Sequence, residues 1–142
     1  MKNILICASI LLMTTSAIAQ NTLTSHLPPT TAALIAGATV SVLNDQTILV
    51  RYSEKGVAYK SFYSKDGAWL HTVASYEQAL LPAPVKHVVN SAWRGWDILY
   101  VDEVRTPGVD PVYQIQLRRA GNLTIVRVSG EAIETERQLS IQ

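Results

Sequence analysis

The stretch that most constrains the fold runs from Leu81 to Thr106, with the sequence LPAPVKHVVNSAWRGWDILYVDEVRT. It opens with two prolines, and proline is tolerated in the first turn of a helix because its missing N–H has no partner there. An apolar stripe at helical spacing then predicts a helix over Pro82–Trp93. The stripe consists of Val85, Val88, Val89 and Ala92. Gly95 is predicted to end the helix, and the alternation over Trp96–Arg105 predicts a long strand.

A weaker copy of this opening stands at Leu27-Pro28-Pro29, where it predicts a short helix over Thr30–Ala36. Alternating, β-branched runs between polar or glycine-containing turns predict seven further strands. These are Thr39–Leu43, Thr47–Tyr52, Val57–Tyr63, Ala68–Ser75, Val112–Arg119, Leu123–Val128 and Ala132–Glu136. We therefore expect an α+β fold, an antiparallel sheet covered on one face by two short helices. The two similar openings suggest a duplicated α-β-β-β(β) unit, with halves at about 27–76 and 81–137.

The first 19 residues have the pattern of a secretory signal peptide. A short positive start is followed by an apolar run over Ile4–Met13 and by small residues that end in Ala17-Ile18-Ala19. The run is too short to span a bilayer, which takes about 20 apolar residues. We expect cleavage after Ala19 and one exported domain over 20–142, periplasmic or secreted, with no membrane span after cleavage. The alternative is an uncleaved N-terminal anchor.

Composition narrows the chemistry of the exported domain. Its predicted sequence has no cysteine, because Cys7 falls inside the predicted signal peptide, and this excludes thiol catalysis and cysteine-based zinc sites. The full chain has 12 basic and 11 acidic residues, so loss of Lys2 with the signal peptide leaves the two in balance. Nucleic-acid binding needs concentrated lysine and arginine, and we expect none here.

Several motifs carry a family resemblance. The hairpin SKDGAWLHT, the helix entry LLPAPVKHVV, the run WRGWDILYVDEVRT and the strand PVYQIQL resemble β-lactamase-inhibitor-like, PepSY-like proteins, small exported proteins of Bacteroidetes-type bacteria. The positions that match the family pattern are Gly67, Trp69, Leu70, Thr72, Leu81, Pro82, Val85, Trp93, Gly95 and Trp96. Arg94 departs from it, because the family usually has proline there. The resemblance implies helices packed on an antiparallel sheet and a binding or inhibitor-like role, with no catalytic motif.

No catalytic or metal-binding constellation is apparent. His26, His71 and His87 are the only histidines, and their spacing forms no local metal motif. Period-two alternation places Asp97 and Glu103 on one strand face and Asp102 on the other. A solvated sheet face explains these carboxylates better than a glycosidase pair does. The serines form no nucleophile elbow. We expect no cofactor and no enzymatic activity.

The aromatic residues around the predicted helix end have two interpretations. Trp93 and Trp96 bracket Gly95, and we expect them to hold the helix end against the sheet as part of the core. The alternative is an exposed aromatic patch, a kind of surface favoured in protein interfaces.

The sheet face opposite the helices is the candidate binding surface. If Tyr113, Ile115 and Leu117 face the helices, the alternate residues of that strand face outward. Basic residues and a histidine from neighbouring strands could join them, giving a polar, mildly basic surface. The candidate residues are Arg51, Lys60, His71, Gln114, Gln116, Arg118 and Arg127. The alternative is an ordinary solvated sheet face.

These observations favour a non-enzymatic exported binding or inhibitor-like module that uses the open sheet face. We expect its partner to be a protein or peptide of the periplasm. A structural or stress-related envelope protein without a specific ligand is the alternative, and a small hydrolase is the third. The hydrolase would need a pocket in which a histidine and a carboxylate converge.

Overall fold

The computed structural model describes residues 37–43 and 45–140, with the side chain of Ser140 left aside. Within these ranges the chain forms eight strands, one 3-10 turn at Gln78–Leu80 and one helix, α1, at Ala83–Ala92. The strands are β1 (Thr39–Val42), β2 (Ile48–Glu54), β3 (Val57–Tyr63), β4 (Trp69–Tyr76), β5 (Asp97–Thr106), β6 (Val109–Arg119), β7 (Asn122–Ser129) and β8 (Ala132–Ser140).

All eight strands belong to one sheet, in the order in which they occur in the chain. Every neighbouring pair is antiparallel, so the sheet is a continuous meander. Short polar turns connect most strands. In the Ser64–Gly67 turn, for example, the Gly67 N–H donates to the Ser64 carbonyl over 2.9 Å, and Gly67 adopts a φ of +84°. Asp-Gly in a hairpin favours this backbone because glycine carries no Cβ.

The expected α+β class with two helices over the sheet is wrong. Most of the described residues lie in strands, and the helical part of those residues is the ten-residue α1 and the 3-10 turn. The first predicted helix, Thr30–Ala36, lies outside the described residues. The predicted antiparallel sheet is confirmed, with each predicted strand present to within a few residues. The predicted signal peptide also lies outside the described residues.

The helix α1 covers the second half of the sheet. Pro82 and Pro84 stand at its start, and the Trp93 N–H closes its last turn by donating to the Val89 carbonyl over 2.7 Å. Val85 and Val89 point into the main core, which also contains Leu81 and apolar side chains of β4–β7. The strand residues of this core are Ala74, Tyr76, Ile98, Val101, Ile115, Leu117, Val126 and Val128. We call the sheet face that carries them the helix face, and the other the open face.

The two tryptophans at the end of α1 pack as predicted. Their rings meet edge to face, with centroids 5.0 Å apart and an interplanar angle of 86°. Both rings are partly buried against the main core. Gly95 between them has a φ of +80°, a backbone that glycine adopts without strain. The aromatic pair therefore fixes the path from α1 into β5, and the exposed-patch alternative does not apply to these two residues.

Candidate functional site

The seven side chains of the candidate surface share the open face of the sheet. Residues paired across an antiparallel ladder point to the same face. Arg51 pairs with Lys60, Phe62 with His71, and Gln114 with Arg127. Gln116 and Arg118 follow Gln114 at period two along β6. The face assignment on β6 agrees with the expected one, since Ile115 and Leu117 are fully buried on the helix face.

A row of paired residues crosses the open face from one half of the sheet to the other. Arg51 and Lys60 stand opposite each other, and the row continues through Val73, Val104 and Val112. Strands lie about 4.8 Å apart, so Lys60 and Val112 are separated by about 14 Å. Arg51 and Lys60 carry like charges, and like charges that stand directly opposite each other in a sheet repel. The row therefore offers two exposed cations at one end and an apolar strip at the other.

The apolar end of this row opens into a shallow groove of about 350 Å³. Its lining residues are Val104, Thr106, Val109, Val112, Gln114, Arg127 and Glu136. Val109 is 63% exposed at its mouth. On the rim, the Gln114 side-chain amide donates to the Glu136 carboxylate over 2.6 Å. The groove thus combines an apolar floor with hydrogen-bonding side chains at its edge, as binding sites for side chains of a partner commonly do.

Charge on the open face is uneven. Two basic residues have acidic neighbours in the ladder: Arg127 in the groove lining pairs with Glu134, and Arg118 near the end of β6 pairs with Asp97. Arg51 and Lys60 pair with each other instead. The surface is therefore basic mainly at its β2–β3 end, a finer distribution than the sequence predicts.

His71 contributes an aromatic ring more than a charge. It stacks on Phe62, with ring centroids 4.3 Å apart, and burial lowers the pKa of His71 below its ordinary value. Its imidazole is therefore neutral at neutral pH. Leu49, which pairs with Phe62, is only 3% exposed. The row that contains His71 is therefore partly buried, unlike the Arg51–Lys60 row. His87 is exposed on α1, and His26 lies outside the described residues. Within 37–43 and 45–140, no group of three or more histidine or carboxylate side chains could hold a metal ion.

A second polar site lies on the helix face, where the sequence predicts a solvated carboxylate. Glu103 is 5% exposed. The expected alternation along β5 fails because the ladder with β6 skips Leu99: Ile98 pairs with Leu117 and Tyr100 with Gln116. Such a bulge shifts the period by one residue. Asp97 therefore lies on the open face with Asp102, while Glu103 faces the core. The predicted shared face of Asp97 and Glu103 is wrong, and so is the predicted exposure of Glu103.

Glu103 is held by two hydrogen bonds. The Tyr76 hydroxyl donates to its Oε2 over 2.7 Å, and the Arg105 Nε donates to its Oε1 over 2.6 Å. Burial raises the pKa of Tyr76, and the hydrogen bond to Glu103 raises it further. Burial alone would lower the pKa of Arg105, but the Glu103 carboxylate more than offsets this and the net change is upward. A Glu-x-Arg pair on one strand, two residues apart and so on one face, is the sequence signal that could have identified this site.

Tyrosines surround the buried pair. The ladder through Glu103 contains, in order, Tyr52, Tyr59, Ala74, Glu103 and Tyr113. The rings of Tyr52 and Tyr59 stack with centroids 4.8 Å apart. Burial raises the pKa values of Tyr59 and Tyr113, and it raises the pKa of Tyr52 to about 12. These hydroxyls therefore stay protonated in the folded protein at a pH where free tyrosines ionise.

We expect the protein to lose stability between pH 10 and about pH 12, the window set by the ordinary and raised pKa of Tyr52. The unfolded chain releases tyrosine protons first, so the folded state binds more protons and the free energy of unfolding falls as pH rises. Urea unfolding at a series of alkaline pH values measures this decline. The Tyr52→Phe variant should show a shallower decline. Equal slopes in both proteins would contradict the assignment to Tyr52.

The architecture defines a class: a single antiparallel meander sheet with a helix on one face and a partly polar open face. Three solved structures share this fold. A DUF2874 family protein from Bacteroides ovatus matches with a TM-score of 0.61 and 13% identity, over 80% of this chain and 88% of that chain. A DUF2874 family protein from Bacteroides uniformis has a TM-score of 0.57 and 14% identity, over 73% and 77%. A putative periplasmic protein from Bacteroides eggerthii has a TM-score of 0.57 and 17% identity, over 74% and 77%.

These similarities establish the fold and leave the function open. No protein-family model matches the chain, and no curated protein matches its sequence. The three solved neighbours come from Bacteroides species, and none of them is described as β-lactamase-inhibitor-like or PepSY-like. In the part of the chain that the structure describes, no helix combines the length and apolarity needed to cross a bilayer.

Proposed function

We propose that this protein is a non-enzymatic, exported binding module that holds a protein or peptide partner on its open sheet face. The observation that carries the proposal is the row that runs from the Arg51–Lys60 pair to the valine groove on that face. The predicted signal peptide supports an exported location, and so does the periplasmic description of the Bacteroides eggerthii neighbour. The resemblance to β-lactamase-inhibitor-like, PepSY-like proteins supports an inhibitor-like mode of action.

The charges and apolar surface of the row define the partner's chemistry. An acidic side chain of the partner would lie between Arg51 and Lys60, where it relieves the repulsion of two opposed cations. An apolar side chain about 14 Å away would fill the groove between Val104 and Val112. Interfaces of this kind derive affinity from a buried apolar anchor, and charge complementarity gives them specificity.

The geometry gives the hydrolase alternative little support. It requires a histidine and a carboxylate that converge in a pocket. His71 stacks on Phe62 on the open face, while Glu103 is buried on the helix face. The envelope protein without a specific ligand stays as the alternative, and it predicts no partner for the open face.

The test is capture of partners from periplasmic extract with the wild type and with a Lys60→Glu, Arg118→Glu variant. We expect the variant to lose the partners of the wild type, because both substitutions reverse charge on the open face. The matched control is a Lys86→Glu, Arg94→Glu variant, which makes the same charge change on and just after α1. It should retain those partners. Identical partner sets for all three proteins would contradict the proposal.

A further inference from the structure

The buried pair Glu103–Arg105 borders a cavity that the proposed function does not use. The cavity has a volume of about 310 Å³ and lies between the β2–β3 turn, the 3-10 turn and the start of α1. Its lining residues are Glu54, Lys55, Val57, Tyr59, Tyr76, Leu80, Pro82, Glu103 and Arg105. This volume is at the lower end of the range for small-molecule sites.

Stability alone does not explain why the ion pair Glu103–Arg105 stands at this position. The neighbours of Glu103 in the ladder are Ala74 and Tyr113, and the row continues through Tyr59 on one side and Val128 on the other, with no second charged residue among them. Removing a carboxylate from water carries a penalty that its attraction to a cation often fails to offset. An apolar residue at position 103 would match its surroundings better. The pair therefore points to a use of the charged groups themselves.

The hydrogen bonds fix which atoms are available for a ligand. Both Glu103 oxygens are engaged, one by Tyr76 and the other by the Arg105 Nε. In the described part of the chain, the two Nη groups of Arg105 make no hydrogen bond, and the Arg105 side chain is 24% exposed while that of Glu103 is 7% exposed. The Tyr59 hydroxyl also makes none among those residues. Arg105 and Tyr59 thus offer free hydrogen-bond donors to the cavity, while the Glu54 carboxylate at the end of β2 is an acceptor on its lining.

We propose that this cavity binds a carboxylate with a short apolar tail. The Nη groups of Arg105 form the planar fork that matches a carboxylate with two parallel hydrogen bonds. Glu103 holds the guanidinium in place by accepting from Nε, and Tyr76 holds Glu103 by donating to its other oxygen, so both act as positioning residues. Val57, Leu80 and Pro82 supply an apolar wall for the tail. At the β2–β3 turn the charges of Glu54 and Lys55 offset each other, so Arg105 supplies the attraction for the carboxylate.

The proposal is tested by titrating the protein with hexanoate, with its neutral analogue hexanamide, and with the tripeptide Gly-Gly-Leu as free acid and as C-terminal amide. Calorimetry gives the affinity, and backbone amide chemical shifts give the location. We expect the carboxylates to bind at least about tenfold more tightly than the matching amides, as expected for hydrogen bonds to a charged group. Shifts should concentrate at Glu54–Val57 and Leu80–Pro82. Preference for hexanoate over the tripeptide acid indicates a small organic acid, and the reverse indicates a peptide C-terminus.

Two variants make the test specific. Arg105→Lys keeps the positive charge and loses the fork, and we expect it to weaken carboxylate binding about tenfold while the protein stays folded. Arg94→Lys makes the same change just after α1, away from both proposed sites, and should leave carboxylate binding unchanged. Equal affinity for acids and amides, unchanged binding in Arg105→Lys, or shifts confined to the open face would each overturn the proposal. Because the capture experiment reports only on the open face, the two proposals can fail independently.

Discussion

Replacement of Leu117 by alanine should lower the free energy of unfolding by about 2–5 kcal/mol, as large-to-small substitutions in a core do. Leu117 is fully buried near the middle of the sheet. It pairs with Ile98 on one side and with Thr124 on the other. Because hydrogen-bonded ladders hold β6 on both sides, the strands cannot close in to fill the cavity, and the lost contacts are not recovered.

The matched control is Leu139→Ala, which removes the same atoms from the edge strand β8, where Leu139 is 45% exposed. We expect a change within about 0.5 kcal/mol there. Urea unfolding followed by circular dichroism measures both variants. Comparable losses at the two positions would show that β6 does not lie at the centre of the core.

Alternation of apolar and polar residues was sufficient to predict the sheet. On β6, Ile115 and Leu117 alternate with Gln114, Gln116 and Arg118, and the pattern places each on its observed face. Such regularity arises because a strand buried on one side must present every second residue to the core. The candidate residues of the open face could be grouped for the same reason.

On β5 the alternation of side chains does not predict the faces correctly, because a bulge interrupts the two-residue period of the strand. A bulge at Leu99 separates Asp97 from Glu103: Asp97 shares a face with Asp102, and Glu103, expected to be solvated, faces the core. Nothing in the run WDILYVDEV marks the position of the extra residue, because a bulge depends on pairing with β6 and so on residues distant in sequence. The site around Glu103 was missed for this reason.

The predicted α+β class is wrong because a helix signal in the sequence shows where a helix forms and not how large a share of the fold it makes. The stripe Val85, Val88, Val89 does form α1, but the helix has ten residues against a sheet of eight strands. A helix this short depends on packing against the sheet for its stability. It therefore acts as a cover for the β5–β7 core, and the strands define the class.

The buried pair itself gives the last prediction. Arg105→Leu should lower the free energy of unfolding by about 3 kcal/mol or more, because it leaves the Glu103 carboxylate in the core without its cation. Glu103→Leu should be less damaging, since Arg105 is 24% exposed and can turn toward water through the cavity. The double variant Glu103→Leu, Arg105→Leu should come within about 2 kcal/mol of the wild type, because apolar replacement of a buried ion pair is often close to neutral while the Tyr76 hydroxyl loses its acceptor. Urea unfolding of the four proteins at neutral pH completes this cycle. Recovery in the double variant would mean that the fold does not need the pair, which leaves ligand binding as the reason for its presence. A double variant as unstable as Arg105→Leu would instead make the pair a structural element and remove that argument for the cavity.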